Sequence, residues 1–480
     1  MHTTVRTRTL IPHESRIWVN DIHSRLNATR VGNILALQSL GDAESAMRWA
    51  SSSGRTVCVA GGRHAMGAQQ FATDAVLLDT RGLGEILRLD RHAGTVEVQA
   101  GIQWPELIGG LRRMQPGVEA PWTIIQKPTG ADRLTLGGCV SANIHGRVLG
   151  RGPLVDDIEA LTVITPSAGT VRCSRTRNPE LFRHVIGGYG LFGLVYSVKL
   201  RLTPRLKLER RVEVRDIDGL AEAFAERTGQ GCLYGDFQFA TDDRSPDFLR
   251  TGVFSCYRPV PGRTVIPAGQ RRLLPEDWHE LLHLAHADKS AGFARYAGHY
   301  LETDGQVYGS DDHQLAYYED HYHERLDTGR PGVPPGSEMI SELYVPRSRL
   351  ATFLGRAATE LRARRADVIY GTVRMIEQDT VTALPWARED FACVIFNLHV
   401  THSPEGMENA AGHFRRLIDL ALTEGGSYYL TYHRWARPEQ VQAAYPGFHS
   451  FLTAKRSMDP GDVLQSTWYR HHAAMFADNP

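Results

Sequence analysis

Apolar and polar positions alternate along this chain in short runs separated by glycine-rich turns. Residues 56–60 (Thr-Val-Cys-Val-Ala) are apolar and rich in β-branched side chains, which predicts a buried strand, and residues 75–79 (Ala-Val-Leu-Leu-Asp) predict a second. Residues 85–90 and the alternating residues 95–100 predict a strand pair. Residues 158–165 and 170–173 flank the turn Pro-Ser-Ala-Gly, a hairpin signature. Tyr196, Val198, Leu200 and Leu202 alternate with Ser197, Lys199 and Arg201, the period of a half-buried strand. Helical spacing comes between these runs. Asp42 reads as an N-cap ahead of Ala43, Ala46, Met47 and Ala50, with Gly54 as the stop. Residues 104–114 read as a helix with Pro105 in its first turn, and Asn178-Pro179 reads as an N-cap followed by proline at the first helical position. Residues 1–40 show no clear period.

Pro204 marks a shift in composition. Beyond it, residues 206–209, Val212 with Val214, and residues 232–239 alternate as strands, and residues 350–365 form an amphipathic helix pattern. Val394, Phe396, Leu398 and Val400 alternate with Asn397, His399 and Thr401, so one face of that strand is polar. The fold class predicted is α+β.

Composition narrows the function. A chain of 480 residues exceeds one ordinary core, so two domains are expected. Lys+Arg and Asp+Glu both number 54, which gives no reason to expect nucleic acid or an anionic membrane as partner. No apolar run reaches the roughly 18 residues of a membrane span. Residues 1–8 lack an apolar signal core. The six cysteines are scattered without a CxxC pair, which suits a reducing cytoplasm and speaks against a zinc or disulfide framework. The histidine-rich segment 313–323 fits either a metal site or a polar loop at a pocket mouth; no resident metal is expected.

Two stretches carry candidate chemistry. The strand at 56–60 runs into Gly61, Gly62, Arg63, His64, Ala65, Met66 and Gly67. Glycines let a backbone approach a phosphate closely, and Arg63 and His64 add donors that suit a pyrophosphate. The plainer reading is an ordinary glycine-rich turn. The GxGxxG spacing of a nicotinamide loop is absent. The second stretch, residues 127–146, holds Gly137, Gly138, Ser141, Ala142 and Gly146 together with Asn143 and His145. A flat ligand can lie close to such a backbone.

The order of these features carries a resemblance: a strand, a Gly/His loop, Thr-Leu-Gly-Gly with Asn-Ile-His-Gly, a Pro-Ser-Ala-Gly hairpin, an Asn-Pro-Glu-Leu-Phe helix and Gly-Gly-Tyr-Gly-Leu-Phe-Gly. It resembles the FAD-binding domain of the vanillyl-alcohol oxidase (PCMH-type) superfamily. Within it, the branch of decaprenylphosphoryl-ribose, alditol and aldonolactone oxidases is most similar. The resemblance implies an FAD-binding domain over 1–204, an α/β substrate (cap) domain over 205–410, and a segment, 411–480, that returns to the first domain. It implies FAD as cofactor, with residues 61–67 and Gln69 at the pyrophosphate. Gly130, Thr135, Gly137, Gly138, Ser141, Ile144, His145 and Gly146 would line the flavin and its phosphates, with Val195, Tyr429 and Thr431 nearby.

The same resemblance implies that cap strands form the substrate floor. Glu342, Tyr344, Arg374, Asn397 and His399 are the matching candidates, each with the plainer reading of a solvated face or an ion pair. Tyr432 and His433 stand in a segment where relatives carry lysine. The implied reaction oxidises a hydroxyl-bearing small molecule (sugar, polyol or secondary metabolite) by hydride transfer to flavin N5, with reoxidation by O2. A dehydrogenase or ene-reductase with another electron partner, and a cyclase without net redox change, are the alternatives. The catalytic candidates are Tyr432, His399, Arg374 and Glu342, with His145 as a further proton acceptor; a tyrosine in that role needs its pKa lowered by a cation such as Arg374. His64 occupies the position that carries a covalent flavin link in several relatives. Arg63 and Ala65 depart from the Gly-His-Ser pattern around it.

Overall fold

A computed structural model describes residues 17–317, 322–328 and 334–477. The reading of residues 1–8 and part of the 313–323 segment lie outside the described residues. Strands β1 (Ile17–Val19) and β2 (Thr29–Val31) pair as a small antiparallel ribbon. Strands β3 (Asn33–Ala36), β4 (Val57–Ala60) and β5 (Val76–Asp79) form a parallel sheet in the order β3-β5-β4. A second, antiparallel sheet contains β6 (Ile86–Asp90), β7 (Thr95–Gln99), β9 (Ile158–Thr165), β10 (Gly169–Ser174) and β11 (Leu194–Pro204), with β8 (Trp122–Ile124) on the end of β11. Helix α1 (Leu40–Ser53) lies between the two sheets and buries Ala43, Ala46, Met47 and Ala50 against Leu78, Ile164 and Leu194. Its predicted face is the observed one. Its cap is Ser39 rather than Asp42: the Ser39 hydroxyl accepts from Asp42 N, and the Asp42 carboxylate accepts from Gln38 N. The first bond satisfies an amide that the first turn leaves open, and the second ties the residue before the cap back onto that turn.

Helix α2 (Trp104–Arg113) follows the predicted pattern. Helix α3 (Leu136–Ala142) does not, because its glycines read as a loop. Each glycine costs a helix up to about 1 kcal/mol. Packing outweighs this, since Leu136, Cys139 and Val140 are buried and Gly137 lies directly on Ala100. A Cβ at Gly137 would stand 2.9 Å from the Ala100 Cβ. Helix α4 (Pro179–Val185) starts at Asn178 as expected, but the Asn178 side chain caps nothing and instead donates to the Arg172 carbonyl.

Beyond Pro204 lies an antiparallel eight-stranded sheet. Its members are β12 (Lys207–Asp216), β13 (Tyr234–Phe239), β14 (Thr251–Val260), β15 (Val307–Gly309), β16 (Gly336–Pro346), β17 (Val368–Ile376), β18 (Phe391–Thr401) and β19 (Ser427–Tyr428), in the order β15-β12-β14-β13-β17-β18-β16-β19. Its odd-numbered positions on β16 to β17 (Leu343, Val345, Val373) and the even-numbered Val394, Phe396 and Leu398 of β18 are apolar and buried. Helices α5 (Leu220–Gly229), α6 (Pro275–Ala287), α7 (Lys289–Leu301), α8 (Tyr322–Thr328), α9 (Leu350–Ala363) and α10 (Pro404–Thr423) surround the sheet, with α9 and α10 packed on β16 and the core of Phe353, Leu354, Phe414 and Leu417 beneath. The expected domain boundary at 410 falls inside α10. Helices α11 (Pro438–Ala444), α12 (Phe448–Met458) and α13 (Thr467–Met475) complete the chain. Between α12 and α13 the backbone joins the edge of the first sheet: Val57 N donates to Val463 O and Gln465 N donates to Val57 O, both at 2.8 Å. No helix among the described residues is long and apolar enough to cross a membrane.

Candidate functional site

The cap sheet has a second face, and period-2 alternation makes it polar. In register, Glu338 faces His399, Ile340 faces Asn397, Glu342 faces Ile395 and Tyr344 faces Cys393 across β16 and β18. Across β18 and β17, Cys393 faces Arg374 and Asn397 faces Tyr370. All five sequence-predicted cap residues are therefore on one face. That face looks onto the 61–67 loop and the α3 region across a cavity of about 820 Å³.

Most of the predicted cofactor residues line this cavity: Gly61 to Met66, Gln69, Gly130, Thr135, Gly137, Gly138, Ser141, Ile144, His145, Val195, Tyr429 and Thr431. Gly67 and Gly146 stand behind the wall. The Gly67 amide donates to Thr431 O and to Gln69 Oε1, which fixes the loop to the C-terminal segment. Of the catalytic candidates, Glu342, Arg374 and Tyr432 line the cavity; His399 stands outside its wall and bonds through Nδ1 to Glu338 Oε1 at 3.1 Å. Tyr344 also stands behind, stacked on Trp386.

Glu342 is the centre of the polar network. Its Oε1 accepts from His145 Nε2 (2.6 Å), Tyr344 Oη (2.6 Å) and Cys393 Sγ (3.2 Å), and its Oε2 accepts from Tyr432 Oη (3.1 Å). Burial works against the charged form, but the His145 ring and the Tyr344 and Cys393 donors outweigh it and hold the Glu342 pKa down at about 2. His145 is spoken for on both ring nitrogens, with Nδ1 at the Gly146 carbonyl, so it orients Glu342 and does not reach for substrate. Tyr432 departs from expectation. Burial and the adjacent Glu342 push its hydroxyl well above the ordinary tyrosine range, and the lowering effect of Arg374 is smaller. Tyr432 is a proton donor to Glu342 at rest, not a base with a lowered pKa.

Arg374 is 6% exposed, lines the cavity and has no hydrogen-bond or ion-pair partner among the described residues, with Nε fully buried. A buried guanidinium without a partner costs several kcal/mol, which a bound anion or oxygen offsets.

Three participants went unread in the sequence. His23 lies in the unpatterned 1–40 region, and its Nε2 meets His64 Nδ1 at 2.8 Å. Asp236 lies on an alternating strand that signalled the sheet but not its face; its carboxylate pairs with Arg147 at 3.4 Å. Cys393 was visible only as one apolar-compatible position of β18.

The residues present fit FAD. The glycine cradle has no room for side chains: a Cβ at Gly61 would come within 1.9 Å of Thr135 Oγ1, and one at Gly62 within 2.5 Å of Arg133 O. Arg63 Nε and Thr129 Oγ1 are buried at the cavity without hydrogen-bond partners among the described residues, donors of the kind a pyrophosphate takes up. Arg63 sits at φ 60°, a strained conformation for a side-chain-bearing residue. Its guanidinium is 3.7 Å from Asp79, which also forms a two-pronged pair with Arg81.

Comparison with known proteins agrees. The FAD binding domain family matches residues 33–174. An uncharacterized oxidoreductase of the fasciation locus of Rhodococcoides fascians is 27% identical over 201 residues, covering 39% of this chain and 43% of that protein. Cytokinin dehydrogenase 2 of Arabidopsis thaliana is 28% identical over 186 residues, covering 38% of this chain and 35% of its own length. Cytokinin dehydrogenase 3 of Oryza sativa subsp. japonica is 32% identical over 152 residues, covering 31% and 28%. The chain thus spans less than half the length of the curated relatives it matches. Residues 33–174 are an FAD-binding domain of the PCMH-type superfamily, and the cofactor of this chain is FAD.

Proposed function

We propose that the protein is an FAD-dependent oxidoreductase that oxidises a hydroxyl-bearing small molecule in the cavity between the glycine loops and the polar cap-sheet face. The observation that carries this reading is Arg374, a buried cation without a partner among the described residues, on the same face as the Glu342–Tyr432 pair. FAD, when bound, supplies the hydride acceptor at N5 of its ring system. Arg374 steadies the substrate oxygen as negative charge gathers on it. Tyr432 accepts the substrate hydroxyl proton as its own phenolic proton moves to Glu342 Oε2, so Tyr432 stays neutral and the proton ends on the carboxylate that the His145 ring keeps oriented. The apolar wall of Trp278, Leu281 and Phe293 from α6 and α7 holds the substrate body and excludes water.

A dehydrogenase that passes electrons to an acceptor other than oxygen is the second reading, favoured by the names of the matched relatives. Hydrogen peroxide release under turnover with candidate alcohols separates the two. The purified protein is expected to be yellow, with a flavin absorbance band that candidate alcohols bleach under anaerobic conditions. A flavin-free protein after reconstitution with FAD overturns the cofactor site, and a band that no alcohol bleaches while amines do overturns the hydroxyl substrate.

We also propose that His64 carries a covalent flavin link. His64 lines the cavity, and its pairing with His23 fixes the ring. Acid precipitation is expected to leave the colour in the pellet, with a mass increase matching FAD that His64→Ala removes. Flavin released wholly into the supernatant would leave His64 as a non-covalent contact.

A further inference from the structure

A second polar cluster stands beside the cavity, outside the Glu342 network, with Glu338 in the cavity wall. It is built from three elements distant in sequence: His286 near the C-terminal end of α6, Glu338 on β16 and His399 on β18. One donor atom of each lies within 4.8 Å of the others. His399 Nδ1 is 3.1 Å and His286 Nε2 is 3.4 Å from the same carboxylate oxygen, Glu338 Oε1. The two imidazole rings lie 5.2 Å apart, centroid to centroid, at 88° to one another.

We propose that His286, Glu338 and His399 form a binding site for a divalent transition-metal cation of the zinc or cobalt type. Two ligand atoms each about 2.0–2.2 Å from one cation at tetrahedral-like angles stand roughly 3.1–3.6 Å apart, which matches both measured separations. Two imidazoles and a carboxylate form a set suited to zinc, cobalt, nickel or iron rather than to calcium or magnesium. Glu338 also lines the cavity, which leaves an open side for water or a substrate oxygen. The other cluster of similar composition, His145, Glu342 and Cys393, is less suited: its carboxylate already accepts from four groups, His145, Tyr344, Cys393 and Tyr432, whereas Glu338 accepts from His399 and Tyr322. A cation at His286 would tie α6, part of the cavity's apolar wall, to the two strands that carry the polar face. The site therefore acts as a clasp on the cavity rather than as part of the hydride transfer.

The test uses the purified flavoprotein, stripped of metals with a chelator and titrated with Co(II) and Zn(II) while the visible spectrum and metal content are followed. A single equivalent per chain is expected, with weak Co(II) d–d bands and no sulfur-to-metal charge transfer. His286→Ala and Glu338→Gln should each weaken binding by roughly 10- to 100-fold or more while the flavin absorbance stays at its wild-type level. Retained flavin and an unchanged far-ultraviolet spectrum show that the variants are folded. Absence of saturable binding by the wild type overturns the site and leaves a proton-sharing cluster. Binding that survives both substitutions, or that shows a sulfur charge-transfer band lost in Cys393→Ser, moves the cation elsewhere and overturns it equally.

Discussion

Replacing Arg374 with alanine is expected to lower kcat/KM by roughly 10²- to 10³-fold, the loss seen when one preorganised charge-stabilising donor is removed from an active site. The flavin content should not change, because Arg374 sits on β17 of the cap and not in the glycine cradle. Stability should hold or rise. The wild-type protein keeps a guanidinium 6% exposed with no partner among the described residues, and removal of such a charge relieves its desolvation. Most of the loss should fall on kcat if Arg374 meets charge that develops during reaction, and on KM if it meets a charge already on the substrate. Arg374→Lys should recover only part of the activity, since an ammonium lacks the planar fork. Steady-state kinetics on the identified substrate, with thermal melts of the same samples, checks all of this. Full activity in Arg374→Ala removes the residue from the pocket.

Glu342→Gln should damage both activity and stability. Substrate-driven bleaching of the flavin is expected to slow by roughly 10²-fold or more, the usual scale for a lost proton acceptor. The stability effect follows from linkage. The folded pKa of about 2 lies below the ordinary glutamate value of 4.5, so ionised Glu342 stabilises the fold at neutral pH. At 1.36 kcal/mol per unit this is on the order of 3 kcal/mol. The contribution is fully present above about pH 4.5 and disappears as pH falls toward 2. Denaturant melts of wild type should therefore lose stability across that window. Glu342→Gln should start lower at pH 7 and lose less over the same range. Equal acid sensitivity in both proteins would show that the Glu342 carboxylate is not held ionised by its neighbours.

The sequence was most legible where one physical period dominated. Strands β4, β5, β7 and β11 and helices α1, α2 and α9 follow from spacing alone, because each buries one face. The polar cap face was legible for the same reason: period-2 alternation puts Asn397 and His399 on one side of β18, and the register then adds Arg374 and Glu342. Helix α3 was hidden because its glycines serve contact with Ala100, a partner that no local window contains. The role of Tyr432 was hidden because the nearest charge in space is the Glu342 carboxylate, 3.1 Å away, and not the Arg374 cation. His399 points with the predicted face but meets Glu338 before it reaches the cavity, since alternation fixes the side of a sheet and not the depth along it. His23 gave no signal at all; only tertiary structure brings it to His64.

The pairing of Val57 with Val463 and Gln465 also sets the order in which the protein can assemble. During synthesis the first sheet emerges with β4 as an open edge, and the segment that covers it follows only after the whole cap domain. The core of α1 has the same dependence, since Leu464 packs within it. Contacts between segments far apart in a chain form slowly, because the loop between them must close first. The nascent flavin domain thus carries a bare strand edge until that distant segment is made, exposed to the strand-to-strand association that such edges invite. Substitutions that weaken the 463–465 pairing should therefore lower the yield of soluble protein more than they lower the stability of the folded chain.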